Sequence, residues 1–241
     1  MSLDYMDQEL LSLYREYEPC YDKLFDDAQS AICSIEYVRG GELFHRGYYC
    51  PSPVLDIIVG NANRGKLMKR PRKDVVYDYI YYKDKDGNLI MVDKYLGDTD
   101  ADRKLCYREF IIKSGSREIA PCFNFDKFLE QINIASFSLC EYSDGKIILY
   151  RNMLRSSIKM EDGTVSYGIP IIHAEDYIYH SSGLIDQAVY GEKFKNSLRE
   201  TSLKFFHDES GILYEYQVVD HYGVRTSPRM YQVQKSKLRR I

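Results

Sequence analysis

Five histidines, His45, His173, His180, His207 and His221, are the first residues to question for chemistry. An imidazole serves as general base near neutral pH when a carboxylate within reach orients it. His173 and His180 flank Glu175 and Asp176, while His207-Asp208 and Asp220-His221 set the two group types side by side. Neighbours on a strand point to opposite faces, so Asp220 does not orient His221, and Asp208 suits a turn. No HExxH or GxSxG pattern accompanies them. A hydrolase using His173, His180 or His207 therefore stands as an alternative beside the plainer reading of turn and surface histidines.

Residues 60–67, GNANRGKL, match seven of the eight positions of a phosphate-binding loop. Such a loop needs a Ser or Thr hydroxyl for Mg²⁺ and a long helix behind it. Here the hydroxyl position is Leu67 and Pro71 follows four residues later, so the match is a decoy. The same stretch is basic: Arg64, Lys66, Lys69, Arg70, Arg72 and Lys73 fall within ten residues, whereas residues 1–59 hold eleven acids against four bases. A concentrated positive run can contact phosphates, which makes nucleic-acid binding through residues 64–73 an alternative function. The competing expectation is a solvated loop paired with the acidic N-terminal segment.

Tyrosine is the third chemistry-bearing type, at 23 of 241 residues, with no tryptophan at all. Strand alternation places Tyr77, Tyr79 and Tyr81 on one face, with Asp78 and Ile80 on the other, and Tyr214 and Tyr216 repeat the pattern. Tyrosine suits a half-buried sheet, where cross-strand aromatic pairs contribute about 0.2–1 kcal/mol each. It also suits a recognition surface, because it offers wide contact area with a polar tip. The candidate binding residues are therefore Arg64, Lys66, Lys69, Arg70, Arg72, Tyr77, Tyr79, Tyr81, Tyr214 and Tyr216. No catalytic residue, metal ligand or cofactor motif is assigned. Cys20, Cys33, Cys50, Cys106, Cys122 and Cys140 lack zinc-ligand spacing and read as free thiols.

The elements that must position these residues fall into two parts. Leu3, Met6, Leu10, Leu13 and Tyr17 form one apolar helical stripe; Tyr21, Leu24, Phe25, Ala28 and Ile32 form a second after Pro19. Residues 1–40 thus read as a helical hairpin or kinked helix, closed by Gly40-Gly41. From residue 41 the pattern turns to short β-rich runs around Gly-containing turns. Residues 54–59 read as a strand, and residues 75–82 and 89–92 as a hairpin about Asp86-Gly87. Similar units recur about Asp144-Gly145, Asp162-Gly163, Ser182-Gly183 and Ser210-Gly211, and residues 125–134 suggest a short helix. The expectation is a single α+β domain over residues 1–241: an N-terminal helical hairpin packed on a large, mostly antiparallel, hairpin-built sheet.

Hydrophobic residues at 44% and charged ones at 29% are globular composition, and no apolar run approaches eighteen residues. No membrane partner is expected, and with free cysteines and no secretion signal a cytoplasmic location is. The tyrosine-flanked hairpins in residues 74–95 and 203–223 resemble those of immunity proteins from bacterial polymorphic and contact-dependent toxin systems. That resemblance implies a non-enzymatic protein that neutralises a cognate toxin by binding it. It transfers no catalytic residue.

Overall fold

The structure is a computed structural model and describes residues 3–41, 46–54, 64–125, 132–162, 164–195 and 197–220. Helix α1 (Leu3–Tyr17) is followed by a single 3-10 turn (Glu18–Cys20) containing Pro19, and then by α2 (Tyr21–Ala31). Proline is tolerated there because the first N–H groups of a helix have no intrahelical partner. The helical pattern does not run to residue 40: Ile32 is already extended, and Ser34–Arg39 is strand β1. Ser34–Val38 pair one for one with β3 (Tyr79–Lys83), and Val38 becomes fully buried. A long-range ladder outweighs the weak local preference that continued the helix.

The remaining strands are β2 (Lys66–Leu67), β4 (Leu89–Leu96), β5 (Lys104–Phe110), β6 (Ile112–Ser114), β7 (Arg117–Asn124), β8 (Asn133–Ser143) and β9 (Lys146–Leu154). They continue with β10 (Ser157–Lys159), β11 (Val165–Tyr167), β12 (Ile171–Tyr179), β13 (Ile185–Phe194), β14 (Ser197–His207) and β15 (Leu213–Asp220). Among the described residues, thirteen strands form one sheet in the order β15-β14-β13-β12-β9-β8-β7-β5-β4-β3-β1-β2, with β6 beside β7, while β10 and β11 pair only with each other. Every pairing is antiparallel, so an N-terminal helical pair packs on a large antiparallel meander, as the hairpin pattern implies.

At Asp144-Gly145 both residues have positive φ, 49° and 74°, the tight primed turn expected of Asp-Gly. Gly87, Gly183 and Gly211 instead fill the one left-handed position of a longer turn, in which Gly87 N–H reaches Asp84 O at 3.1 Å. Asp84 Oδ1 closes that turn by accepting from the N–H groups of Asp86 and Asn88. Asp208 Oδ1 repeats the device with Ser210 and Ile212. Residues 75–78 precede β3 and are not strand. The helix expected over 125–134 falls mostly on residues 126–131, outside the described residues, and Asn133 and Ile134 at its end already belong to β8. Of the run 54–59 only Val54 is described, outside any strand.

One sheet face carries Met91, Phe110, Phe123, Phe137, Leu139 and Met153 against Leu10 and Tyr14 of α1 and Ala28 of α2. Tyr14, absent from the expected stripe, is 1% exposed, and its hydroxyl donates to Ile134 O at 3.3 Å. Tyr21 meets Phe123 and Phe110 edge-on at 5.2 and 5.8 Å, and Arg108 spans Asp93 and the Tyr21 hydroxyl. The opposite face carries Tyr79, Tyr81, Val92, Ala120, Cys140, Tyr150 and Tyr177. It too is covered, by residues 46–54, called here the strap.

Tyrosine is thus a core residue in this fold. Burial holds the phenols of Tyr79, Tyr81 and Tyr150 above their ordinary range and pushes those of Tyr179 and Tyr190 up to about 12. Above pH 10 the unfolded chain sheds phenolic protons that the folded chain keeps, so stability falls as pH rises further. In an alkaline spectrophotometric titration, the buried tyrosines should ionise together with loss of the far-ultraviolet β signal, after the exposed ones have titrated freely. Smooth ionisation of every tyrosine with the sheet intact would contradict this packing.

Candidate functional site

The strap begins with Arg46 and Gly47, both left-handed at φ 66° and 52°. A Cβ on Gly47 would lie 2.8 Å from the Tyr79 ring, so the chain can press this close to the sheet only at glycine. The bend drives the Arg46 side chain down onto the sheet. Nε donates to Glu109 Oε1 at 2.9 Å, Nη1 to Glu118 and Nη2 to Ser138 Oγ at 3.2 Å. Arg46 is 6% exposed, Glu109 7% and Glu118 4%. Burial alone would lower the Arg46 pKa, but Glu109 and Glu118 outweigh it and hold the guanidinium charged; burial raises that of Glu109. The Arg46 carbonyl accepts from the Tyr81 hydroxyl at 2.7 Å, which in turn accepts from Tyr48 N–H at 3.0 Å.

Six residues on, the strap is held again. Ser52 and Glu175 are both fully buried, and Ser52 Oγ donates to Glu175 Oε2 at 2.6 Å. His173 Nε2 lies 2.5 Å from Oε1 of the same carboxylate, and the Tyr177 hydroxyl also donates to it. His173, Glu175 and Tyr177 share a face because they are two apart on β12. Serine, histidine and glutamate are the residues of a nucleophilic triad, but their order is wrong. The imidazole must sit between hydroxyl and carboxylate to take the serine proton, whereas here the carboxylate sits in the middle. The cluster clamps the strap. His180 is elsewhere, half-exposed and 3.1 Å from Asp186. His207 is partly buried near His180, with no partner for Nδ1 among the described residues. His45 and His221 lie outside the described residues.

Cysteine chemistry is equally muted. All six thiols are unbridged, and burial pushes that of Cys50 up to about 12, away from the reactive thiolate. Among the described residues, no group of three or more His, Cys, Asp or Glu side chains is arranged to hold a metal ion.

The residues singled out from sequence separate into two groups. Tyr77, Tyr79, Tyr81 and Tyr216 are 3%, 2%, 0% and 7% exposed, so their rings lie inside the protein. Tyr79 and Tyr81 stack at 5.8 Å, but Tyr77 departs from the expected row. It precedes β3 and meets Tyr37, whose register partner Ile80 faces the other side. The side chain of Tyr214 lies outside the described residues. Arg64 turns inward, donating to Cys50 O at 2.9 Å and Ser52 O at 2.5 Å, and so belongs to the strap clamp. Lys66, Lys69, Arg70, Arg72 and Lys73 are exposed, with Arg72 paired to Asp74. Residues 60–63 of the phosphate-loop match lie outside the described residues, and Lys66–Leu67 is a strand where a helix would have to start.

Two outcomes follow. Arg46→Met strands two buried carboxylates and should cost about 3–5 kcal/mol in urea unfolding, with much of it regained when Glu109→Gln and Glu118→Gln are added. Burial, then the neighbouring His180, lower the His207 pKa. Between its folded and unfolded values the unfolded chain binds more protons, so stability should fall as pH drops from about 7 toward 5. Unfolding followed across that range should show a shallower fall for His207→Gln.

Neither the known family models nor the curated proteins include a match to this chain. Among solved structures, a protein of unknown function from Bacteroides fragilis aligns over 57% of this chain and 89% of its own, at 10% identity and a TM-score of 0.30.

Proposed function

We propose that this chain is a non-enzymatic bacterial binding protein of the immunity type, acting in the cytoplasm by covering a toxin partner. One observation carries the reading: the groups suited to chemistry are consumed inside the fold, while an acidic helical surface is left outside. Ser52, Glu175 and Arg46 are enclosed by their own partners. On the helices, Glu16, Asp22, Asp26 and Asp27 are exposed, and none forms an ion pair among the described residues. Residues 3–31 hold eight acids against two bases. Such a surface favours a basic partner, because opposed charge accelerates encounter and orients it. No helix among the described residues is long and apolar enough to cross a membrane.

A second reading keeps one specific support. Lys66, Lys69, Arg70, Arg72 and Lys73 are all exposed within eight residues of sequence, which suits phosphate contact.

The deciding experiment is affinity capture of the full chain from its own cell, followed by association kinetics at rising salt. The expected result is a basic protein whose association rate falls steeply with ionic strength. Repeated capture of no protein, together with oligonucleotide binding that disappears in a Lys69→Gln, Arg70→Gln, Arg72→Gln variant, would replace the first reading with the second.

A further inference from the structure

Among the described residues the buried charges are matched, with one exception. Arg46 sits between Glu109 and Glu118, Asp93 meets Arg108, Arg151 meets Asp176, and Glu175 accepts from Ser52 and Tyr177. Lys94, 8% exposed on β4, has no carboxylate partner among the described residues. Its Nζ donates to the Tyr79 hydroxyl at 2.8 Å and lies 4.7 Å from the centre of that ring. A neutral phenol takes one N–H donor and cancels no charge. Asp78, the acid whose charge bears most on Lys94, is held by Arg103 at 3.0 Å. The other titratable groups acting on it are the Cys106 and Cys122 thiols, and burial raises the Cys122 pKa away from the thiolate. Burial also lowers the Lys94 pKa to about 8, so the ammonium form still prevails at neutral pH.

A second unmet group lies in the same row of the sheet. Tyr79 pairs with Lys94, Lys94 with Tyr107, Tyr107 with Asn124 and Asn124 with Asn133. Residues directly opposite one another share a face, so these side chains line the face that carries the strap. Asn133 is 4% exposed, and neither its Oδ1 nor its Nδ2 has a hydrogen-bond partner among the described residues. From β4 to β8 is roughly 14 Å, at about 4.8 Å per strand. Between the two, Tyr107 and Asn124 are partly exposed, so the row reaches solvent. A buried cation without an anion and a buried amide without partners each cost free energy. One bound molecule that meets both relieves both costs.

We propose that the row Lys94–Tyr107–Asn124–Asn133 binds a small organic oxyanion, a carboxylate or a phosphate ester, with its charged group on Lys94 and a polar group at its far end on Asn133. Asn133 suits an amide there, because its side chain offers both a donor and an acceptor. Tyr107 and Asn124 form the floor between the ends. The inference goes beyond the partner-binding reading and does not rest on it.

The test follows the Lys94 side chain in the full chain labelled with ¹³C-lysine, its signal identified by its absence from Lys94→Met. That variant should fold at least as stably as the wild type, since it removes an unpaired buried charge; Lys94→Arg, which keeps the cation, serves equally to identify the signal. Without ligand the signal should titrate near pH 8. Acetate or inorganic phosphate should move the midpoint upward by about half a pH unit or more, because an anion favours the charged form, while sodium chloride at equal ionic strength should not. The probe 6-acetamidohexanoate, which carries an amide beyond its carboxylate, should bind about tenfold more tightly than acetate. Asn133→Leu should remove that gain and leave acetate binding unchanged. A midpoint that no probe moves, or that chloride moves equally, overturns the site. A midpoint moved by acetate with no gain from the longer probe, or a gain that survives Asn133→Leu, overturns the role of Asn133 and leaves a site for the oxyanion alone.

Discussion

The arrangement depends on one buried ionic contact: the Arg46 guanidinium held between Glu109 and Glu118. Two carboxylates brought to neighbouring strands of a sheet interior repel each other and lose their hydration, which costs several kcal/mol per ion. A cation that meets both, with a serine hydroxyl taking a further donor, is what allows this sheet face to be covered at all. The contact is therefore less a source of net stability than a condition for closure, since breaking it leaves charge stranded. It also sets register, because only one placement of the strap brings Arg46 over the β5–β7 pair.

The rest of the strap follows from that placement. With Arg46 fixed, Tyr48 and Tyr49 pack on the Tyr79–Tyr81 stack, and the Tyr49 hydroxyl joins Lys83 on Glu36. Farther along, Ser52 reaches Glu175, and Arg64 returns to hold the Cys50 and Ser52 carbonyls. Each contact satisfies a polar group that burial would otherwise penalise. The outcome is a sheet closed on both sides over its central strands, by helices on one face and the strap on the other. What is left exposed on this body includes Glu16, Asp22, Asp26 and Asp27 of the helices and the basic residues Lys66, Lys69, Arg70, Arg72 and Lys73.

Much of the fold was legible along the chain because hairpins are local. Asp144-Gly145 encodes its turn in two residues, and Asp84 and Asp208 close theirs with a single side chain. The His173–Glu175 contact needed the strand Ile171–Tyr179, which puts residues two apart on one face; the sequence shows the two residues only as near neighbours. Arg46 was not: its partners lie 63 and 72 residues away, and nothing local distinguishes it from any surface arginine. Ser52 and Glu175, 123 residues apart, meet for the same reason.

By itself, the sequence determined the helical opening, the turns about Gly87, Gly145, Gly183 and Gly211 and the run of antiparallel hairpins, because those rest on backbone preferences and periodicities within a few residues. Only the tertiary structure decided what the tyrosines and histidines are for. Whether an aromatic strand face meets water or protein depends on what covers it, and the cover here comes from a segment remote in sequence. Once the strap closes on the buried charges, the tyrosine face becomes core, a serine, a histidine and a glutamate become a clamp, and Arg64 of the basic run becomes part of the cover.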